Sequence, residues 1–177
     1  MQNSSATTYK LSISMVPAAL WGENLRELVS RRKWERFRAT QFERSPDCEL
    51  CGSAATGSAR HAHEMWVYDP KAGVARLVGL QTICRMCHFV MHPGFVECAV
   101  DEGQLSADIF DEMERHFCSV NKCKPEHYLR HQQQAERRYS KLAKVKSWTI
   151  DFGPYADLVA RRPQTTAAPS RRRLTNS

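Results

Sequence analysis

The distribution of apolar and polar positions divides the chain into a short lead-in, two helices, a hairpin and a second run of helices. Residues 1–14 are rich in Ser and Thr and carry no sustained apolar period, which predicts a flexible, irregular lead-in. Pro17 suits the first turn of a helix. Leu20, Trp21, Leu25 and Leu28 then recur at helical spacing, so one helix is expected over Ala18–Val29. Ser30 is a suitable N-cap for a second helix from Arg31 to about Arg44. Its Trp34, Phe37 and Ala39 would face the core, while Arg31, Arg32, Lys33, Arg36 and Arg38 would be solvated or touch phosphates. After the break at Ser45, Pro46 and Asp47, the segment Ala62–Leu80 reads as a β-hairpin. Trp66, Val67 and Tyr68 suit a strand, Asp69–Gly73 has turn chemistry, and Val74–Leu80 returns.

A helix is expected from about Arg85 to His92, stopped by Pro93 and Gly94, with a loop at Asp101, Glu102 and Gly103. Ser106 would cap a helix reaching about Val120. Pro125 would open a long helix to about Lys146, with Tyr128, Leu129, Ala135, Tyr139, Leu142 and Ala143 as its apolar side. Trp148–Phe152 suits a short strand. The last stretch, with Arg171, Arg172 and Arg173 among Thr, Ala, Pro and Ser, reads as a disordered basic tail.

Length and composition narrow this picture. A chain of 177 residues suggests one compact domain with additions, and 42% hydrophobic residues suffice for a modest core. The net charge of +7 favours a polyanionic partner. No apolar run approaches a membrane span, and the first residues lack the basic start and apolar stretch of a secretory leader. Seven cysteines are then expected to be reduced, in a cytoplasmic setting. Four of them are candidate zinc thiolates, and Cys98, Cys118 and Cys123 are expected as buried thiols.

The chemistry concentrates in the middle of the chain. Cys48 and Cys51 form one Cys-x-x-Cys pair, and Cys84 and Cys87 form a second. Two such turns present four thiolates to one structural Zn²⁺ in a closed shell that leaves no position for substrate. His88 and His92 are spaced i, i+4 and share one helix face. If zinc ties the knuckles together, His63 on the first strand comes near them, and three imidazoles suit a divalent ion with open positions. His61, His116, His127 and His131 lack such context and are expected to be solvated.

With these residues in view, the segment from 47 to 94 resembles the HNH endonuclease family, in the subgroup with a four-cysteine zinc. The likeness rests on Cys48 and Cys51, the His63-Glu64 pair opening a hairpin, and Leu80 through Cys84, Cys87, His88 and His92. A softer likeness to bacterial and phage members extends to Pro17–Arg26, to Val120 and Asn121, and to Trp148–Phe152. The resemblance implies an α+β fold with a ββα-metal core, structural zinc knuckles, and flanking N-terminal and C-terminal helices. The organisation it suggests is a lead-in at 1–14, a helical segment at 15–46, the HNH unit at 47–94, a helical extension at 95–160 and a basic tail at 161–177.

The resemblance further implies hydrolysis of phosphodiester bonds in DNA. Cys48, Cys51, Cys84 and Cys87 would hold the structural zinc. His88 and His92, with His63, would hold a catalytic Mg²⁺, Mn²⁺, Ni²⁺ or Zn²⁺. In the family the second residue of the strand pair is a histidine base, and here that position is Glu64. Either Glu64 is the base, or His63 is and leaves two histidines on the metal. An unperturbed carboxylate is a weak base near neutral pH. The family's middle Asn has no clear counterpart, Gly79 or Gln81 standing in its place. Arg60, Arg76 and Arg85 are candidates for DNA phosphates. One catalytic unit per chain leaves a homodimer or larger assembly open. Two other readings remain: a catalytically degenerate zinc module that binds DNA or a protein, and a zinc-stapled subunit docking through Pro125–Lys146.

Overall fold

The computed structural model describes residues 8–54 and 56–159. The expected tail at 161–177 and the first half of the lead-in lie outside the described residues. Within them the chain is mixed α+β, with a three-stranded sheet and seven α-helices. These are α1 (Leu25–Leu28), α2 (Arg31–Arg44), β1 (Arg60–Asp69), β2 (Val74–Cys84), α3 (Arg85–Met91), α4 (Pro93–Asp101), α5 (Ile109–Asn121), α6 (Pro125–Leu142), β3 (Thr149–Asp151) and α7 (Ala156–Val159). None of these helices is long and apolar enough to cross a membrane.

The long hairpin of β1 and β2 organises the molecule. Its turn closes because Asp69 Oδ1 accepts from the backbone N–H groups of Lys71 and Ala72, and Gly73 takes φ +66°. The strands pair antiparallel from Asp69↔Val74 to Arg60↔Cys84, both longer than the sequence suggested. The register slips once, between Met65↔Gly79 and Trp66↔Leu77, leaving Val78 as a bulge residue. That slip changes the parity of β2, so that Leu77 and Leu80 both face the N-terminal helices.

The hairpin therefore separates two apolar clusters. On one face Leu77 and Leu80 pack with Leu25, Val29 and Trp34. On the other, Ile83 joins Phe89, Val90, Val96, Met113, Phe117 and Tyr128 from α3 to α6. The short β3 runs parallel to β2, held by Arg76 Nε on Asp151 Oδ2 at 2.7 Å.

Several boundaries differ from expectation for identifiable reasons. The single helix expected over Ala18–Val29 is a 3-10 turn (Ala18–Leu20) followed by α1. Gly22 at φ +87° breaks it, and Asn24 restarts it by accepting from the Glu27 N–H. α3 stops before Pro93 as expected, but Pro93 also opens a further helix. It occupies the first position of α4, where its missing N–H costs nothing. In α2, Gln41 is buried and Ala39 is exposed. In α6 the buried set is Tyr128, His131 and Ala135, whereas Leu129 is 54% exposed. Tyr128 packs on Phe117 of α5.

Residues 8–14 are irregular, as expected, yet they are strapped down rather than loose. Leu11 is fully buried, and its N–H and C=O both bond the Asn121 side chain. The Ile13 N–H donates to Nε2 of His131 at 3.0 Å, and the Ser14 N–H donates to the Met91 carbonyl. His131, expected to be solvated, is a core residue at 4% exposure. Cys98 is exposed, and Cys118 and Cys123 are half-buried, so none of the three is the buried thiol the sequence suggested.

Two predictions follow from this packing. Gly153 sits at φ +48° against the Leu77 carbonyl, and an added Cβ would strike that oxygen. Gly153→Ala should lower stability by about 1–3 kcal/mol in thermal or urea melts, whereas Gly94→Ala, which meets nothing within 4 Å, should stay within about 1 kcal/mol of the parent. Burial, reinforced by the charge of Arg138, lowers His131 to about 4. The unfolded chain then binds the proton more readily, so stability is complete above pH ~6.5 and falls as pH drops towards 4, by up to about 3 kcal/mol. Melts at pH 7.5 and 5 should show a smaller acid loss for His131→Gln than for the parent.

Candidate metal centre

Two clusters of potential metal ligands lie at the knuckle end of the hairpin. The first is Cys48, Cys51, Cys84 and Cys87. Gly52 at φ +76° lets the first knuckle fold back, its N–H donating to the Cys48 carbonyl. Glu49 anchors that knuckle to β2. Its N–H donates to the Thr82 carbonyl, and its Oε1 accepts from the Thr82 N–H and from Gln41 Nε2, both at 2.8 Å. The second knuckle begins where β2 ends. Cys84 is the N-cap of α3, and its sulfur accepts from the Cys87 N–H.

The sulfurs fit a zinc ion. Cys48 Sγ lies 3.6 Å from Cys87 Sγ, and Cys51 Sγ lies 3.7 Å from Cys84 Sγ. Ligands ~2.3 Å from a tetrahedral zinc stand about 3.8 Å apart, whereas a disulfide would need about 2 Å. Without a cation Cys48, Cys84 and Cys87 are electrostatically frustrated. Hydrogen bonds from Cys48 and Cys87 hold the Cys84 thiol far below its usual range, while the same crowding pushes Cys48 and Cys87 up. A dication resolves this conflict. His116, expected to be solvated, places Nε2 3.1 Å from Cys87 Sγ, the position of an outer-shell hydrogen bond to a thiolate.

The second cluster is His63, His88 and His92, whose candidate ligand atoms all lie within 4.8 Å of one another. His63 projects from β1, His88 lies on α3, and His92 caps its C-terminus. Ring centroids are 5.7 Å apart for His63 and His88, 5.0 Å for His63 and His92, and 5.1 Å for His88 and His92. Burial lowers His63 and His88 to about 3, so both are neutral at physiological pH, the form that binds metals. Burial also lowers His92, and its Nδ1 lies 2.9 Å from the Ser14 carbonyl. Nδ1 must carry the proton to donate there, leaving Nε2 as the ligand atom. Three neutral imidazoles, one oriented by a backbone carbonyl, form a donor set suited to a divalent transition metal.

The remaining candidates divide. Glu64 is adjacent to His63 and therefore points to the opposite face of β1. Its Oε1 accepts from the Leu25 N–H at 2.9 Å and its Oε2 from the Trp66 indole at 3.1 Å. It caps α1, with both carboxylate oxygens engaged, and lines the same groove as the imidazoles. His61, expected to be solvated, is on the same face as His63, half-buried, and stacked on His88 at 4.8 Å. Burial, with Arg38 and Arg85 nearby, lowers its pKa. Alternation along β1 was the signal that could have found it, since positions 61 and 63 must share a face. Gln81 pairs directly opposite His63, so the two side chains leave the hairpin on the same face.

Of the three arginines, Arg60 lines the groove that holds the histidines, with its guanidinium 4.2 Å from the centre of the Phe42 ring. Arg76 is engaged with Asp151, and Arg85 lies over Phe89 at the start of α3. His127 is not free either, its Nδ1 lying 3.2 Å from the Tyr9 hydroxyl.

No protein-family model matches the chain, and no curated protein or solved structure matches it.

Zinc-finger sites contribute about 10–16 kcal/mol, as much as the whole stability of a typical domain, so removal of zinc should unfold this end of the molecule. Protein substituted with Co²⁺ should show intense thiolate-to-cobalt absorption. Cys84→Ala/Cys87→Ala should abolish that absorption and lower Tm sharply, whereas His88→Ala/His92→Ala should retain it.

Proposed function

We propose that the chain is an HNH-type, metal-dependent endonuclease that hydrolyses phosphodiester bonds in DNA. The observation that carries the reading is the convergence of His63, His88 and His92 from two elements, beside a separate four-thiol cluster. A pure zinc scaffold needs the thiols and has no use for three half-buried neutral imidazoles. The order of elements, a hairpin followed by α3, supports the ββα-metal reading of residues 47–94.

In this reading Cys48, Cys51, Cys84 and Cys87 hold a structural Zn²⁺, and His63, His88 and His92 hold a divalent ion such as Mg²⁺, Mn²⁺, Ni²⁺ or Zn²⁺. That ion supplies Lewis-acid stabilisation of charge on the phosphate. Ser14 orients His92 through its carbonyl, and the α3 backbone sets His88 and His92 one turn apart. Glu64 is committed to Leu25 and Trp66, so it is a structural cap and not the base. His61, neutral and on the same face, is the imidazole left to accept a proton from the attacking water. Arg60, which lines the groove, would hold a neighbouring phosphate.

A second reading, a degenerate zinc module that binds DNA or a protein partner, draws on the displacement of Glu64 and on Gln81 in place of the family's Asn. The two readings part in a plasmid assay. Purified protein with Mg²⁺, Mn²⁺ or Ni²⁺ should nick or linearise supercoiled DNA, and His88→Ala/His92→Ala should not. His61→Ala should lower the rate about 10²–10⁴-fold, while Glu64→Gln should keep the rate within about tenfold and lower Tm. Absence of cleavage by folded, zinc-loaded protein with every metal would favour the binding module.

A further inference from the structure

The groove that leads to the histidines carries two exposed aromatic rings. Trp21 is 71% exposed and Phe95 is 59% exposed, and both line the groove together with His63, His88 and His92. Neither ring is loosely tethered. The Trp21 indole N–H donates to the Val16 carbonyl at 3.1 Å, so its polar atom is satisfied while its faces stay open. Val16 lies two residues from Ser14, whose carbonyl holds His92, so one strap orients both the ring and the ligand. On the other flank, Phe95 lies 6.5 Å from the His88 ring and 6.3 Å from Phe89.

The groove carries no excess of positive charge. Arg26, Arg31, Arg38 and Arg60 are matched by Glu23, Glu27, Glu35, Glu64 and Glu97, and Arg38 and Glu35 are joined by a salt bridge at 3.1 Å. A duplex presents a phosphate about every 1.7 Å of its axis and is held mainly by cations. Such a surface gains little here. Open aromatic faces bind unstacked bases, at about 1–3 kcal/mol each, and this contribution needs no excess of positive charge. A paired base inside a duplex offers no free face to either ring.

We infer that the groove takes a single-stranded or locally unpaired segment of DNA, with bases stacked on Trp21 and Phe95 and the backbone laid across His63, His88 and His92. This rests on the nuclease reading for the chemistry, but not for the binding. It assigns the strand form on which the site acts, with Trp21 and Phe95 as specificity determinants and Arg60 as a phosphate contact.

The test separates the two levels. Binding of a fluorescent mixed-sequence single strand and of its blunt duplex is measured on zinc-loaded protein without a second metal, and cleavage of both is then measured with Mn²⁺. The single strand should bind at least tenfold more tightly, with a shallow salt dependence. Trp21→Ala and Phe95→Ala should each weaken it about 5- to 100-fold, with Tm unchanged because both rings are exposed. Cleavage, when present, should favour the single strand or a bubble in a duplex. Stacking-dependent binding without cleavage would uphold the groove and overturn the nuclease. Cleavage of duplex undiminished by Trp21→Ala and Phe95→Ala would overturn the groove and leave the nuclease standing. Neither binding nor cleavage would overturn both, and would leave the rings as a surface for a protein partner.

Discussion

Four thiols within bonding reach of one cation fix the end of the hairpin, and the placement of almost every functional group follows from that tie. Cys84 is at once the last residue of β2, the N-cap of α3 and a candidate zinc ligand. Its position therefore sets where α3 starts and in which direction it leaves the sheet. One turn later Cys87 returns to the same cluster, which fixes the rotation of α3 about its axis. His88 and His92 then have one orientation available, towards β1. A few ångströms of slack at the sulfurs would be amplified along the helix, which is why a closed site of high binding energy is well suited to the task.

The hairpin divides labour by parity. On β1, His61 and His63 face α3, while Ala62 and Glu64 face α1 and α2. One face receives a candidate metal-ligand set in a half-buried groove, and the other receives the apolar residues Leu77 and Leu80 with Trp34. The bulge at Val78 allows this without sacrificing either surface. Glu64 illustrates the cost of its address: a carboxylate desolvated among apolar groups is raised in pKa, and two hydrogen-bond donors offset that burial. Its role is to tether α1, hence the groove wall, to the back of the strand that carries His63.

Much of this was legible in the sequence. The cysteine spacing located the zinc candidates, the i, i+4 histidines located α3, and turn chemistry at Asp69–Gly73 located the hairpin. Each is a local signal. What escaped depends on partners distant in sequence. The bulge at Val78 is a property of a pair of strands, so neither strand alone reveals it. His131 looks like any polar residue on a helix until the backbone of Ile13 arrives to use its nitrogen. His116 gains meaning only from the folding of α5 against the second knuckle. The identity of Glu64 as a cap also depends on α1, whose own start was hidden because Gly22 interrupts an otherwise helical pattern.

The strap from Leu11 to Ser14 has a consequence for the order of assembly. Its bonds reach Met91 and His92 on α3, Asn121 on α5 and His131 on α6, spanning 78 residues for the Ser14–His92 contact and 118 for the Ile13–His131 contact. Closing such long loops costs entropy that only finished packing repays, so contacts of this range form late. The knuckles and hairpin, built from nearer neighbours, can form while the strap is still loose. The carbonyl that orients His92 therefore arrives with the strap and not with α3 itself. A growing chain can then hold its four cysteines and its hairpin in place while His63, His88 and His92 still lack the strap that orients His92.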